Sequence, residues 1–285
     1  MKSLFLLILI LFISGCTIIN DKTNKNDNIK TNKKEDFVSI HFIDVGQGDA
    51  IFIDYNNFDM LIDAGDNDAG DKIIKYLKEQ GVETLDYFVL THMDADHIGG
   101  ADEILNAFQV ENIIDSGDTD KTTKTYEKYK LTRNSEDAIY KEDSNMNINV
   151  DENLNFQIIE TGDSFKDENN NSVVIEMTYM DTKVLFTGDM ESNAEKVFIE
   201  FAENIDILKA AHHGSKTSST EEFLDKVDAE YVVISAGRNN KYGHPHAQTL
   251  ERYNDHDMEI YRTDLDGTII CTIWQDNDIT WTTEN

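Results

Sequence analysis

From Phe37 onward, apolar and polar positions alternate with a period of two through FVSIHFID, AIFIDY and FDMLIDAG. That alternation predicts three short strands joined by turns bearing Gly and Asn. The period then changes. Ile73, Ile74 and Leu77 share one face of a helix predicted over Asp68 to Gln80, with Gly81 as its stop. The strand LDYFVLT follows, and after it a second helix carrying Ile98, Ala101, Ile104, Leu105 and Phe108. ENIIDSG predicts another strand, whereas the polar stretch from Asp118 to Asn149 has no sustained period and reads as an insertion containing a helix. The second half repeats the style. NFQIIE, SVVIEMTY and TKVLFTGD predict strands, with a helix near Ser192 to Glu203. IDILKAA, EYVVISA, EIYRT and GTIICTIW predict further strands, separated by helices in STEEFLDKV and AQTLERY. Two runs of strands with helices between them predict an α+β fold of two sheets packed face to face with helices outside. Polar residues fall at strand ends in both halves, where one site between the halves would collect them.

The first 36 residues have a different texture. MKSLFLLILILFISGC carries one Lys, an apolar run from Leu4 to Ile13 and then small residues ending in Cys16. This is the pattern of a secretory signal, with an apolar region too short to span a bilayer comfortably. Its last four residues, ISGC, resemble the bacterial lipobox, in which the Cys becomes the lipidated first residue. We therefore expect a lipoprotein signal peptide over 1–16, a disordered Asn-, Lys- and Asp-rich tether over 17–36, and one domain over 37–285. The protein would be exported and lipid-anchored through Cys16 to the outer face of the cell membrane. With Cys16 so used, Cys271 has no partner, and no internal disulfide is expected.

The formal charge is −31, from 25 basic and 56 acidic residues. Such a surface repels nucleic-acid phosphates at long range and excludes a general DNA-coating protein. It leaves room for an enzyme whose metals supply local positive charge.

The chemistry concentrates in THMDADHIGG, where His92, Asp94, Asp96 and His97 stand on one strand-to-helix loop that two cations could share. Around it lie DVGQGDA (Asp44 to Ala50), NNNSVVIEM, FTGDM, LKAAHHGSKTSS, NNKYGHPH and YRTDLDGTI, in that order. Together these resemble the metallo-β-lactamase superfamily. Within it they resemble the branch formed by the hydrolase domain of the competence protein ComEC and its stand-alone relatives, over Phe37 to Trp274. The resemblance implies a single-domain, four-layer αββα sandwich. Carried over residue by residue, it implies His92, Asp94, Asp96 and His97 as the metal loop, Asp189 as the carboxylate bridging two metals, and Asp63 as a hydrogen-bonding support of that loop. Asp49 and Asn171 are expected to support the site as well, Asn171 or Ser172 standing where zinc hydrolases of the superfamily usually carry a ligand His. His212, His213 and His244 are candidates for the remaining ligand and for transition-state contacts. We expect His212 as the ligand and His213 and His244, with Asp96, as catalytic, although the sequence does not divide these roles.

Of the eight histidines, none lies between the metal loop and Asp189. Fewer imidazoles and one more carboxylate make the donor set harder, favouring two Mn²⁺ or Mg²⁺ ions, with Zn²⁺ still open. Lys209, Lys216, Arg238 and Lys241 are expected as phosphate contacts in an otherwise acidic chain. His41 reads as a satisfied core histidine, His256 as part of a solvated turn and His246 as a helix cap. Tyr242 reads as a packing residue, with stacking on a base or sugar as the alternative. The leading functional expectation is metal-dependent hydrolysis of a phosphodiester, with DNA as substrate and no obligate protein partner. The alternatives are hydrolysis of another small phosphodiester or a lactam, and a membrane-anchored binding protein with a vestigial site.

Overall fold

The period-two segments that open the domain form strands β1 (Phe37–Phe42), β2 (Ile51–Tyr55) and β3 (Phe58–Ile62), paired as antiparallel neighbours. These come from a computed structural model that describes residues 37–285 apart from 118, 143, 160–164 and 201–203. The expected signal peptide over 1–16, with Cys16, and the expected tether over 17–36 lie outside the described residues. Helix α1 (Gly70–Gln80) ends at Gly81, whose φ of 87° is the left-handed cap that glycine adopts without strain. Strand β4 (Thr84–Leu90) leads into the short helices α2 (Ala95–Ile98) and α3 (Ala101–Ala107). The sequence predicts one helix there. It divides at Gly99 and Gly100, because the chain must pass so close to α1 that a Cβ on Gly100 would lie 2.7 Å from the Gly70 Cα.

Strand β5 (Gln109–Asp115), helix α4 (Lys124–Arg133) and strand β6 (Ile139–Glu142) complete the first half. The second half runs β7 (Met146–Asn149), β8 (Leu154–Ile159), β9 (Val174–Tyr179), β10 (Thr182–Phe186), α5 (Ser192–Phe198) and β11 (Ile207–Lys209). It continues with α6 (Glu221–Val227), β12 (Tyr231–Ile234), α7 (Ala247–Asp255), β13 (Glu259–Arg262) and α8 (Thr263–Asp266). Strands β14 (Ile269–Trp274) and β15 (Ile279–Thr283) then return to the first sheet. One sheet has the order β15-β14-β1-β2-β3-β4-β5-β6 and the other β13-β12-β11-β10-β9-β8-β7. Both are mixed: β3 through β6 are parallel in the first, and β10 through β13 in the second.

Alternation along the strands builds the layers. Strand β2 sends Ile51 and Ile53 into the core between the sheets and Phe52 to the helices α1 to α4 outside. In the other sheet, Val184 and Phe186 face the same central core while Leu185 faces α5, α6 and α7. Three apolar clusters therefore separate four layers, helix, sheet, sheet and helix, as expected. Cys271 is buried in the central core as a free thiol. Among the described residues no helix is long and apolar enough to cross a membrane.

The polar stretch after Asp118 does contain its helix, but it also supplies β6 and β7, one edge strand to each sheet. An edge strand exposed on both faces, as IYKE is, needs no apolar period, so its sequence does not announce it. His41 is buried against Tyr76, its Nδ1 2.7 Å from the tyrosine hydroxyl. His246 occupies the N-cap position of α7 without making a capping bond. His256, at the C-cap of α7, is partly exposed, its Nε2 3.1 Å from the exposed Glu221 on α6.

Candidate metal centre

Parallel pairing aligns the carboxyl ends of β3 and β4 in one sheet and of β10, β11 and β12 in the other, and the loops leaving these ends carry the polar residues. Asp63 follows β3 with a left-handed φ of 60° and is wholly buried. Its carboxylate accepts from the Thr91 backbone N–H at 2.7 Å, from Thr91 Oγ1 at 2.8 Å and from His97 Nδ1 at 2.8 Å. Those three bonds fix the start and the far end of the 91–97 loop. Asp94 stands at the N-cap of α2 without capping it, and instead faces His92 Nε2 at 3.6 Å.

After β11 the chain does something the sequence does not announce. His212 (φ 49°, ψ 46°) and His213 (φ 54°, ψ 26°) are both left-handed, and Gly214 follows at φ 78°. Consecutive non-glycine residues in this region cost roughly 1–3 kcal/mol each and persist only where the surroundings enforce them. The consequence here is that the two imidazoles reach different oxygens of one carboxylate. Asp189 Oδ2 lies 3.6 Å from His212 Nε2 and 3.8 Å from His92 Nε2, while Oδ1 lies 3.2 Å from His97 Nε2 and 3.8 Å from His213 Nε2. Asp96 joins the second lobe at 3.4 Å from His213 Nε2. The centre thus has one lobe of Asp96, His97 and His213 and, across Asp189, a second around His92, with Asp94 beside His92 and His212 reaching the same Asp189 oxygen.

In all four of these histidines Nδ1 is engaged, which turns Nε2 inward. His97 donates to Asp63, His213 to the Ser235 carbonyl at 3.0 Å, His212 to Glu191 at 3.1 Å, and His92 lies 3.2 Å from Thr91 Oγ1. Thr91 Oγ1 already donates to Asp63, so it accepts from His92. Ligating histidines are oriented in this way. The Nε2 atoms of His92, His97 and His213 and Oδ1 of Asp189 are buried without a hydrogen-bond partner. Ligand atoms of His92, His97 and Asp189, and separately of Asp96, His97 and His213, lie within 4.8 Å of one another. Buried polar atoms are rarely left unpaired, so a cluster of them converging from three loops fits a divalent-metal site.

The electrostatics agree. Burial is the strongest single influence on His97 and opposes its charge, yet Asp189 and Asp63 together hold its pKa well above the ordinary histidine range. Burial likewise opposes His213, and Asp189, Asp49 and Asp96 raise it to about 10. Burial would raise Asp189, but His97 and His213 hold it well below the carboxylate range. Attraction to His92, against burial and aided by Lys121, lowers Asp94. A divalent ion bound among these groups would displace the protons on the imidazoles, so its binding would tighten as pH rises.

The remaining predicted residues are placed as follows. Asp49 is buried, pairs with Lys209 Nζ at 2.8 Å and lies 3.5 Å from His213 Nδ1, which places it beside the centre. Lys209 is correspondingly buried and engaged, which removes it as a phosphate contact. Asn171 does not face the cluster; its side-chain amide ties the Phe165 backbone in both directions, at 3.0 and 3.3 Å. Ser172 is the neighbour that touches the centre, its Oγ accepting from the Asp189 N–H at 3.1 Å. His244 is half-buried, its ring 5.4 Å from that of His212, and Tyr242 stacks on it at 5.6 Å with 50% of its surface exposed. Lys216, Arg238 and Lys241 are exposed, Arg238 donating to the Asp264 carbonyl at 3.0 Å. The sequence reading missed Glu191, Ser235 and Lys121. Only Glu191, two residues beyond Asp189, has a signal in its spacing.

The family model of the Metallo-beta-lactamase superfamily matches residues 43–238. Among curated proteins the chain is 32% identical over 252 residues to ComE operon protein 3 of Bacillus subtilis (strain 168), covering 81% of this chain and 32% of that protein. It is 32% identical over 243 residues to Recombination protein 2 of Haemophilus influenzae, covering 82% of this chain and 29% of that protein. The chain thus spans about a third of the length of these curated relatives. Among solved structures, the metallo-beta-lactamase fold protein YhfI from Bacillus subtilis aligns with a TM-score of 0.52 at 14% identity. That alignment covers 87% of this chain and 100% of YhfI, a likeness of fold.

Proposed function

The chain belongs to the metallo-β-lactamase superfamily, and from that premise we propose that it is an exported, lipid-anchored, metal-dependent hydrolase that cleaves phosphodiester bonds in DNA. The observation that carries this reading is the donor set around Asp189, in which Asp96 joins His97 and His213 and Asp94 stands beside His92. Three carboxylates make a hard centre suited to Mn²⁺ or Mg²⁺, the ions that phosphate oxygens also prefer. The name of one curated relative, Recombination protein 2, supports DNA as the substrate.

Two divalent ions held in the two lobes would acidify a water molecule and take up charge from the phosphoryl oxygens. The protein's own part is orientation. Asp63, Ser235, Glu191 and Thr91 hold four imidazoles in one tautomer, and Ser172 holds the Asp189 backbone. His213, with both ring nitrogens directed at protein groups of the cluster, fits the ligand role and not that of proton donor. His244 stands outside both lobes. Burial, with His213, His212 and His246 nearby, lowers its pKa to about 4, so its imidazole is neutral near pH 7. A neutral imidazole there suits an N–H hydrogen bond to a phosphoryl oxygen in the transition state.

Purified protein with Mn²⁺ should nick supercoiled plasmid and degrade linear single strands, and Asp96→Ala should abolish both. Absence of cleavage with Mn²⁺, Mg²⁺ and Zn²⁺ alike, or equal cleavage by Asp96→Ala, would sink the reading. Cell fractionation tests the anchor: wild type should sediment with membranes and Cys16→Ser should not.

A further inference from the structure

Lys121 lies in the loop between β5 and α4, in the stretch whose sequence has no period. Its Nζ pairs with Asp94 of the metal loop and with Glu168 of the turn before β9, which belongs to the other sheet. Of the three side chains Lys121 is the most buried, 17% exposed against 43% for Asp94 and 35% for Glu168. The loop is built to deliver it. The Thr119 N–H donates to the hydroxyl of buried Tyr126 at 3.0 Å, the Lys121 N–H donates to Thr119 Oγ1 at 3.2 Å, and Thr123 caps α4 through the Tyr126 N–H. A surface lysine loses rotamer entropy when held, and this one is held from both ends. Thr119 and Glu168 also line a cleft that opens beside His92.

We propose that Lys121 is a positioning residue of the metal centre that also binds the anionic substrate: its ammonium fixes Asp94 and offsets part of the negative charge that the carboxylates bring. The inference rests on the phosphodiesterase reading of the same centre. Asp94, Asp96 and Asp189 cancel most of the charge that two divalent ions would bring, which weakens the hold on a phosphate. One ammonium shared between Asp94 and Glu168 offsets part of that negative charge without competing for the inner ligand positions of Asp96, His97 and His213. It does so at a cost to the metal, since a fixed cation next to the His92 lobe repels a divalent ion. Lys121 therefore trades metal affinity for anion affinity, and the two should move in opposite directions when it is removed.

Wild type, Lys121→Met and Lys121→Arg would be titrated with Mn²⁺, and then, loaded with Mn²⁺, with inorganic phosphate, both by calorimetry. For Lys121→Met we expect Mn²⁺ binding as tight as in wild type or tighter, phosphate binding weakened about tenfold, and a higher KM for DNA with kcat less affected. Lys121→Arg should restore phosphate binding. Loss of Mn²⁺ and phosphate binding together in Lys121→Met would show a structural prop and overturn the proposal, as would unchanged phosphate binding. If wild type binds Mn²⁺ and phosphate but cleaves no phosphodiester, the functional reading fails while the two titrations still decide the role of Lys121.

Discussion

His41 is a buried histidine that the metal centre does not use, and it makes the stability of the fold depend on pH. Burial lowers its pKa from 6.5 to about 4. Above pH 6.5 both folded and unfolded chains carry it neutral, and its burial has no pH-dependent cost. Between 6.5 and 4 the unfolded chain takes up a proton that the folded chain refuses, so stability falls as pH falls through that window and is level again below it. The loss reaches about 3 kcal/mol. Urea unfolding of the metal-free protein should therefore show His41→Phe losing less stability than wild type between pH 7 and pH 4.5. Parallel losses in both proteins would contradict this. The same kind of local environment explains how the metal site could be read. His92, Asp94, Asp96 and His97 lie within six positions of one another, so their convergence needs only one loop and is visible in the sequence. The division of His212 and His213 between two oxygens of Asp189 needs two left-handed backbones, which no side-chain pattern announces.

The insertion after β5 is the element whose role changed most. Its helix α4 has little apolar bias, and it is fastened instead by one buried carboxylate. Asp115, at the end of β5, accepts from the hydroxyls of Tyr129 at 2.5 Å and Tyr140 at 2.9 Å, from Arg133 Nη1 at 2.9 Å and from the Gly117 N–H at 2.8 Å. Helix α4, strand β6 and the loop toward Lys121 are thereby tied to the first sheet. Asp115→Ala removes the acceptor shared by all four donors and one partner of a buried ion pair, and should cost about 3–5 kcal/mol. Denaturant titration measures this, and a change below 1 kcal/mol would mean that α4 is held by other contacts. The other elements were legible because they lie inside the layers. Strands β2, β3 and β10 face apolar layers on both sides and are marked by their apolar residues, whereas β6, at a sheet edge, carries no such mark.

Across the molecule, charge and core act at different ranges. A formal charge of −31 repels a polyanionic substrate over the Debye length, which shrinks from about 30 Å at 0.01 M salt to about 8 Å at 0.15 M. On the proposed function, kcat/KM for DNA should rise with monovalent salt over that range while kcat stays flat, the reverse of a basic DNA-binding protein. A steep fall in kcat/KM would show that a local basic surface, not the net field, governs encounter. The ligand types, their loop and most interior strands follow from neighbours along the chain, because periodicity and motif spacing are local properties. The meeting of Asp49 with Lys209, of Lys121 with Asp94 and Glu168, and of four imidazoles with Asp189 joins residues tens to more than a hundred positions apart. Such contacts exist only once two sheets close on a shared core, which is why the donor types could be read in advance and their arrangement could not.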